Sequence, residues 1–284
     1  MRQLLHQQGA AHSQSYNADP SAYLFALNTY IALLAKLVAA SALPNASQDI
    51  HDASVLIAKR VAALESGALF EHAGVVNMLN GDFFSWYRDD SAWATFSPVI
   101  NALVARLTGI SYDVQKKSPA STRDLFKGIY ETFVPRALRH ALGEFYTPDW
   151  LAEFGLNTLN WQPDDDLLDP TCGSGTFVLE ALRRRLADGH PRTAHKLLDG
   201  LYGFDLNPLA VLTAKGSLAV YVAPYLDSDN PVRLSIYLAD AINPASQEID
   251  GSYAHVLQTE VGVKSFRLPQ KVIVRSDFSD FSLI

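Results

Sequence analysis

Three aspartates stand at or just beyond short apolar runs: Asp169 after Leu167-Leu168, Asp205 after Leu201-Tyr-Gly-Phe204, and Asp240 after Ile236-Tyr-Leu-Ala239. Behind the first comes a loop, Pro170-Thr-Cys-Gly-Ser-Gly175, in which Gly173 and Gly175 bracket Ser174. Apolar residues at helical spacing follow it: Phe177, Val178, Leu179, Ala181 and Leu182. That order reads as a buried strand, a tight glycine turn and the start of a helix. Glycines there let a ligand approach the main chain, and the free amides of a helix start bind an anionic group such as a carboxylate. An ionised aspartate accepts two hydrogen bonds at once, which suits it to a vicinal diol. For an isolated Asp-Pro such as Asp169-Pro170, a loop-capping acid with no ligand is the ordinary account. Three acids, each following a strand pattern, favour a nucleotide-type cofactor instead. The dinucleotide fingerprint G-x-G-x-x-G competes for this reading, and it needs a third glycine where this chain has Val178.

The elements that must position these groups follow from the pattern around them. Strands are expected at 167–169, 201–205 and 234–238, separated by helices at 175–187, about 190–199 and 208–223. Strand and helix alternating at this spacing argue for a parallel sheet, and right-handed crossovers place the carboxyl ends of its strands on one ligand-binding edge. Upstream, residues 20–108 read as all-helical. A helix from Pro20 to Leu43 is expected, capped by Asp19 and with Pro44 just past its end. Further helices are expected at 55–66, 69–79 and 93–107, the last with Pro98 in its first turn or starting it, and then at 122–142 with a break or kink at Pro135 and at 149–159. The aromatic cluster Phe83, Phe84, Trp86, Tyr87 suits core packing, with base stacking as the alternative. After Asp240 the pattern weakens, apart from one more strand at 271–275. The division expected is a helical region over 1–112 and an α/β domain over 113–284.

Composition narrows the function classes. A chain of 284 residues, 48% of them hydrophobic, can build a sizeable core. The stretch Ala22–Leu43 carries Asn28 and Lys36, so it reads as an amphipathic or buried helix and not as a membrane span. With no basic, cleavable leader at the start, a cytoplasmic location is expected. Cys172 is the single cysteine, which excludes an internal disulfide; a small packing residue is its ordinary role, a nucleophile the alternative. A formal charge of −7 provides no global attraction to phosphates, so any DNA-binding surface is weak, local or absent from this chain. His190 and His195 lack a cysteine or paired acid at ligand spacing, so no metal site is expected. Ser174 lacks the G-x-S-x-G elbow of a serine nucleophile.

Taken together, four stretches resemble a known family. Gly143-Glu-Phe-Tyr-Thr-Pro148, Leu167-Leu-Asp-Pro-Thr-Cys-Gly-Ser-Gly-Thr-Phe177, Gly203-Phe-Asp-Leu-Asn-Pro208 and Tyr237-Leu-Ala-Asp-Ala241 stand in the order found in N6-adenine-specific DNA methyltransferases of the restriction-modification and phage-defence type. The stretch 130–154 also resembles the entry to the methylase domain of such enzymes. The resemblance implies a Rossmann-like SAM-dependent methyltransferase sheet, here incomplete, preceded by the helical region, with S-adenosyl-L-methionine (SAM) as cofactor. It assigns Asp205 to the ribose diol with Leu206 beside the adenine, Asp240 to the adenine amino group with the Ala241 amide facing the ring, and the methionine end to Asp169 and the backbone from Gly173 to Gly175, with Thr171 and Cys172 as further cofactor contacts. Tyr146, Thr147 and Pro148 fold over the same pocket in that family.

Its members flip the target adenine from the duplex and hold N6 with an Asn-Pro-Pro-aromatic motif. No such motif occurs in this chain. Asn207-Pro208-Leu-Ala belongs to the ribose turn, and Asn243-Pro244-Ala-Ser comes too early and lacks the second proline and the aromatic. No catalytic residue is therefore assigned, and the expectation is the N-terminal part of a longer enzyme whose partners are double-stranded DNA and a specificity or defence-system subunit. Two alternatives stand beside it: a non-catalytic SAM-binding or interaction module, and a methyltransferase acting on RNA or protein.

Overall fold

The structure, a computed structural model, describes residues 20–79, 83–110, 125–134, 139, 147–242, 247–249, 252–259, 262–268 and 282–283. Helix α1 spans Pro20–Ala42. It is long and apolar enough to cross a membrane by length and composition alone. Its second half is nonetheless buried in protein: Ile31, Leu37 and Leu43 just beyond it are fully enclosed, and Lys36 is paired with Glu65 at 2.5 Å. Pro44 does more than follow this helix. It opens a second one, α2 (Pro44–His51), where a proline loses nothing because the first-turn amide has no intrahelical partner.

Helix α3 (Ile57–Ser66) closes at Gly67 in the left-handed conformation, and α4 (Ala68–His72) starts there. The helix expected over 69–79 stops early because Gly74 takes φ 89°, after which Val75 pairs in parallel with Val232. A 3₁₀ turn at Trp86–Arg88 leads into α5 (Asp90–Leu107), which starts earlier than expected and holds Pro98 in its interior. Pro98 cannot donate to the Ala94 carbonyl, and both residues lie on the exposed face, where water can satisfy that oxygen. Phe83, Phe84 and Trp86 pack against the core and Tyr87 is buried in it, which favours packing over base stacking. Helix α6 covers Leu125–Phe133; the expected break at Pro135 lies outside the described residues.

Helix α7 (Asp149–Thr158) precedes the sheet. Then come β1 (Leu167–Asp169), α8 (Thr176–Ala187), α9 (Ala194–Leu198), β2 (Leu201–Asp205), α10 (Pro208–Val222) and β3 (Ile236–Leu238). Beyond β3, β4 (Gln247–Ile249), β5 (Ser252–Thr259) and β6 (Gly262–Leu268) form an antiparallel sheet in the order β4-β5-β6, where the sequence reading found only a weakened pattern. The strand expected at 271–275 is outside the described residues, whereas β7 (Ser282–Leu283) pairs in parallel with β1. The parallel sheet runs β3-β2-β1-β7.

Strand alternation divides the burial. One face of this sheet joins a hydrophobic cluster that also holds Ile31, Val61, Phe70 and Val104 of the helical stretch, so one core runs through both parts of the chain. The other face carries a small cluster of Leu168, Tyr202, Phe204 and Ala239. Helix α10 lies between α1 and the sheet, and every residue from Leu209 to Val222 is buried. A helix enclosed on all sides needs apolar or small residues all round, which this one has except at Lys215.

Candidate cofactor site at the carboxyl edge of the sheet

The glycine loop is held to the sheet by its own backbone. The Cys172 amide donates to the Phe204 carbonyl at 2.7 Å, and the Gly175 amide to the Cys172 carbonyl at 2.7 Å. Gly173 (φ 53°) and Gly175 (φ 89°) both adopt left-handed conformations that favour glycine. A Cβ on Gly175 would also lie 3.1 Å from that of Ala214, so this position brings α8 close to α10. Under the loop, Gly203 leaves room for Cys172. A Cβ there would stand 2.9 Å from Cys172 Sγ and 2.8 Å from Ile236 Cδ1. Cys172 is therefore a packing residue, and burial pushes its thiol well above the usual range, away from the reactive thiolate.

Backbone amides also aim the carboxylates. Asp169, 4% exposed, accepts the Thr171 amide at 3.2 Å. Burial pushes its pKa up to about 6; the Thr171 amide opposes the shift and the neighbouring Asp205 charge adds to it. Asp205 accepts the Gly173 amide on Oδ2 at 2.9 Å and the Asn207 amide on Oδ1 at 2.7 Å. Asn207 in turn caps α10 by accepting from the Leu209 amide at 2.9 Å, which fits a role in the turn after Asp205 and none in catalysis. The Asp205 carbonyl takes the Ala239 amide at 3.0 Å, and Asp240 accepts the Ile242 amide at 2.8 Å. The ends of β1, β2 and β3 thus bring Asp169, Asp205 and Asp240 to one edge.

The other expected contacts are distributed around this edge. Thr171 is exposed on the loop, Leu206 beside Asp205 is 61% exposed, and Ala241 packs partly against the Leu168–Phe204 cluster. The Thr147 carbonyl accepts from Lys127 Nζ at 2.6 Å, and Pro148 stands at the N-cap of α7. Tyr146 and Asn243–Ser246 lie outside the described residues. Gly203 and the Ser174 hydroxyl stand in motifs that the sequence singles out, without a role of their own there. The role of Gly203 could have been found, because a glycine inside a strand marks a close approach. Ser174 had no such signal; it is 2% exposed and its Oγ has no hydrogen-bond partner among the described residues. Among those residues no cluster of three or more His, Cys, Asp or Glu could hold a metal, and His190 and His195 are exposed.

Chemically, the edge offers a buried carboxyl that a cation would ionise, an oriented carboxylate with lone pairs to spare, and a glycine loop open to close approach. Comparison with known proteins adds to this geometry. Residues 121–235 match the N-6 DNA Methylase family. The chain is 30% identical over 122 residues to the type I restriction enzyme MjaVII methylase subunit of Methanocaldococcus jannaschii, which covers 43% of this chain and 19% of that protein. It is 36% identical over 113 residues to the adenine-specific methyltransferase PglX of Streptomyces coelicolor (34% of this chain, 9% of that protein). With the type I restriction enzyme EcoEI methylase subunit of Escherichia coli it shares 31% over 109 residues (37% and 22%). The chain therefore spans less than a quarter of the length of each of these relatives. A crystal structure of a modification subunit of a putative type I restriction enzyme from Vibrio vulnificus superimposes with a TM-score of 0.41 at 20% identity, covering 85% of this chain and 54% of that one.

Proposed function

We propose, from the match of residues 121–235 to the N-6 DNA Methylase family, that this chain supplies the SAM-binding part of an enzyme that methylates adenine N6 in DNA. The observation that carries the reading is the Asp205 carboxylate, held by the amides of Gly173 and Asn207 at the edge where β1, β2 and β3 end.

The residues fit the cofactor at both ends. Each Asp205 oxygen already takes one amide and keeps acceptor capacity for a ribose hydroxyl. Asp169, buried and with its pKa raised to about 6, gains from an ammonium such as that of the methionine end, which would restore its ionised form. Gly173, where an added Cβ would meet nothing within 4 Å, leaves the loop open to close approach. Leu206 gives an exposed apolar surface for the adenine, with Asp240 and Ala241 on the neighbouring strand end. Thr147, whose carbonyl is tied to Lys127, and Pro148 after it would close the pocket; the family resemblance gives Tyr146 the same role.

Bound SAM supplies an electrophilic methyl group on a sulfonium. The part played by this chain is to orient that group, and positioning of this kind lowers a transfer barrier substantially. The amino group of a flipped adenine would be held by residues other than those of this chain, which has no Asn-Pro-Pro-aromatic sequence. With a formal charge of −7, the chain leaves most of the duplex-binding surface to the rest of the protein or to a partner subunit. Calorimetric titration with SAM, with NADH as control, tests the reading: saturable SAM binding that Asp205→Ala abolishes supports it, and a folded chain that prefers NADH, or binds SAM equally well without Asp205, refutes it.

A further inference from the structure

After the turn at Gly74 the helical stretch is joined to the α/β part by a ladder of bonds. The Val232 amide donates to the Gly74 carbonyl at 2.8 Å, and the Val76 amide to the Val232 carbonyl at 3.1 Å. One step on, the Asn77 side chain takes over the role of a backbone. Its Nδ2 donates to the Leu234 carbonyl at 2.9 Å, and its Oδ1 accepts the Leu234 amide at 2.7 Å. The Asn77 carbonyl accepts from Lys215 Nζ at 2.7 Å. Leu234 and Lys215 are fully buried and Asn77 is partly buried, so losing one of these bonds leaves a buried polar group of Leu234 or Lys215 without that partner.

The two elements so held are the ones that lead to the site. Leu234 enters β3, beyond which stands Asp240. Lys215 lies on α10, whose first turn is set by Asn207, two residues after Asp205. Asp169 and the glycine loop, by contrast, sit at the end of β1, which Asn77 does not touch through any of these bonds. We infer that Asn77 is a positioning residue for the adenosine half of the site, fixing β3 and α10 relative to each other so that Asp205 and Asp240 face one ligand. The inference rests on the SAM reading above and extends it to a residue distant in sequence.

The test compares the affinities of the folded chain for SAM and for adenosine, with circular dichroism used to confirm folding of each variant. Asn77→Ala is expected to weaken both ligands by the same factor, about tenfold, because the loss lies in the half they share. Asn77→Asp keeps an acceptor for the Leu234 amide but sets its second oxygen against the Leu234 carbonyl, so it too is expected to weaken both ligands by a common factor; it also carries the test if the alanine variant does not fold. A role confined to stability would lower the melting temperature and leave the affinity of the folded chain unchanged, which would overturn the inference, as would weakened SAM with unchanged adenosine. If the wild-type chain binds neither ligand, the SAM reading itself fails and the inference with it.

Discussion

Asp205 Oδ2 accepts the Gly173 amide at 2.9 Å, so the acid at the end of β2 holds the glycine loop that follows β1. One carboxylate thereby links the two halves of the proposed pocket. Its other oxygen, on the Asn207 amide, sets the start of α10. Asp205→Ala is expected to lose both anchors and SAM binding together, with a loss of about 1–3 kcal/mol in stability from the two amides left unpaired. Asp205→Asn should fall between, because its amide nitrogen would face one backbone N–H donor with another. Calorimetry and thermal melts on the pair of variants would check the order.

Asp169 should make the ligand-free chain sensitive to pH. Its pKa rises from the ordinary 3.8 to about 6, so between these values the folded state keeps a proton that the unfolded chain has released. Stability from this group is then greatest below about pH 4 and falls as pH rises through about 6, by roughly 2–3 kcal/mol at most. Asp169→Asn should remove that slope and stabilise the free chain at neutral pH. A cation bound beside the ionised group reverses the preference, so SAM affinity should rise with pH through the same window in the wild type. Denaturant melts and titrations across that window would check both signs.

Gly203→Ala is expected to displace the loop through its contact with Cys172. The added methyl would stand 2.9 Å from Sγ and 2.8 Å from Ile236 Cδ1. Overpacking of this kind costs about 1–3 kcal/mol. Cys172→Ala in the same chain should recover part of that cost and part of the SAM affinity, which a double-mutant cycle would measure as coupling.

Lys215 carries a second pH dependence, of opposite slope. Burial lowers its pKa from 10.5 to about 7, with the Arg233 charge adding to the shift. The unfolded chain therefore binds the proton that the folded one lacks between these values, and stability should rise with pH across them. Lys215→Met should flatten this part of the curve, as denaturant melts of the two chains compared point by point would reveal.

Local pattern made the site's scaffold legible. The boundaries of β1, β2 and α10 emerge from apolar runs ended by Asp169 and Asp205 and from Pro208 at a helix start, all of which are local in sequence. The early stop of α4 is hidden in the sequence because apolar residues continue on both sides of Gly74; Val75 beyond it serves the bridge to Val232 and no helix face. The β5–β6 pair has a local signal, two β-rich runs separated in sequence by Glu260 and Val261, with Gly262 opening the second. The pairing of β7 with β1 and the bonds of Asn77 to Leu234, 157 residues away, join distant segments that no local periodicity reports.

Amide hydrogen exchange with and without saturating SAM tests the central claim most directly. Binding at the carboxyl edge predicts slower exchange in residues 171–176 and 205–208, with little change in α2 and α3 on the far side of the core. Saturable SAM binding that leaves the glycine loop and the Asp205 turn unprotected, or that protects another part of the chain instead, would contradict it.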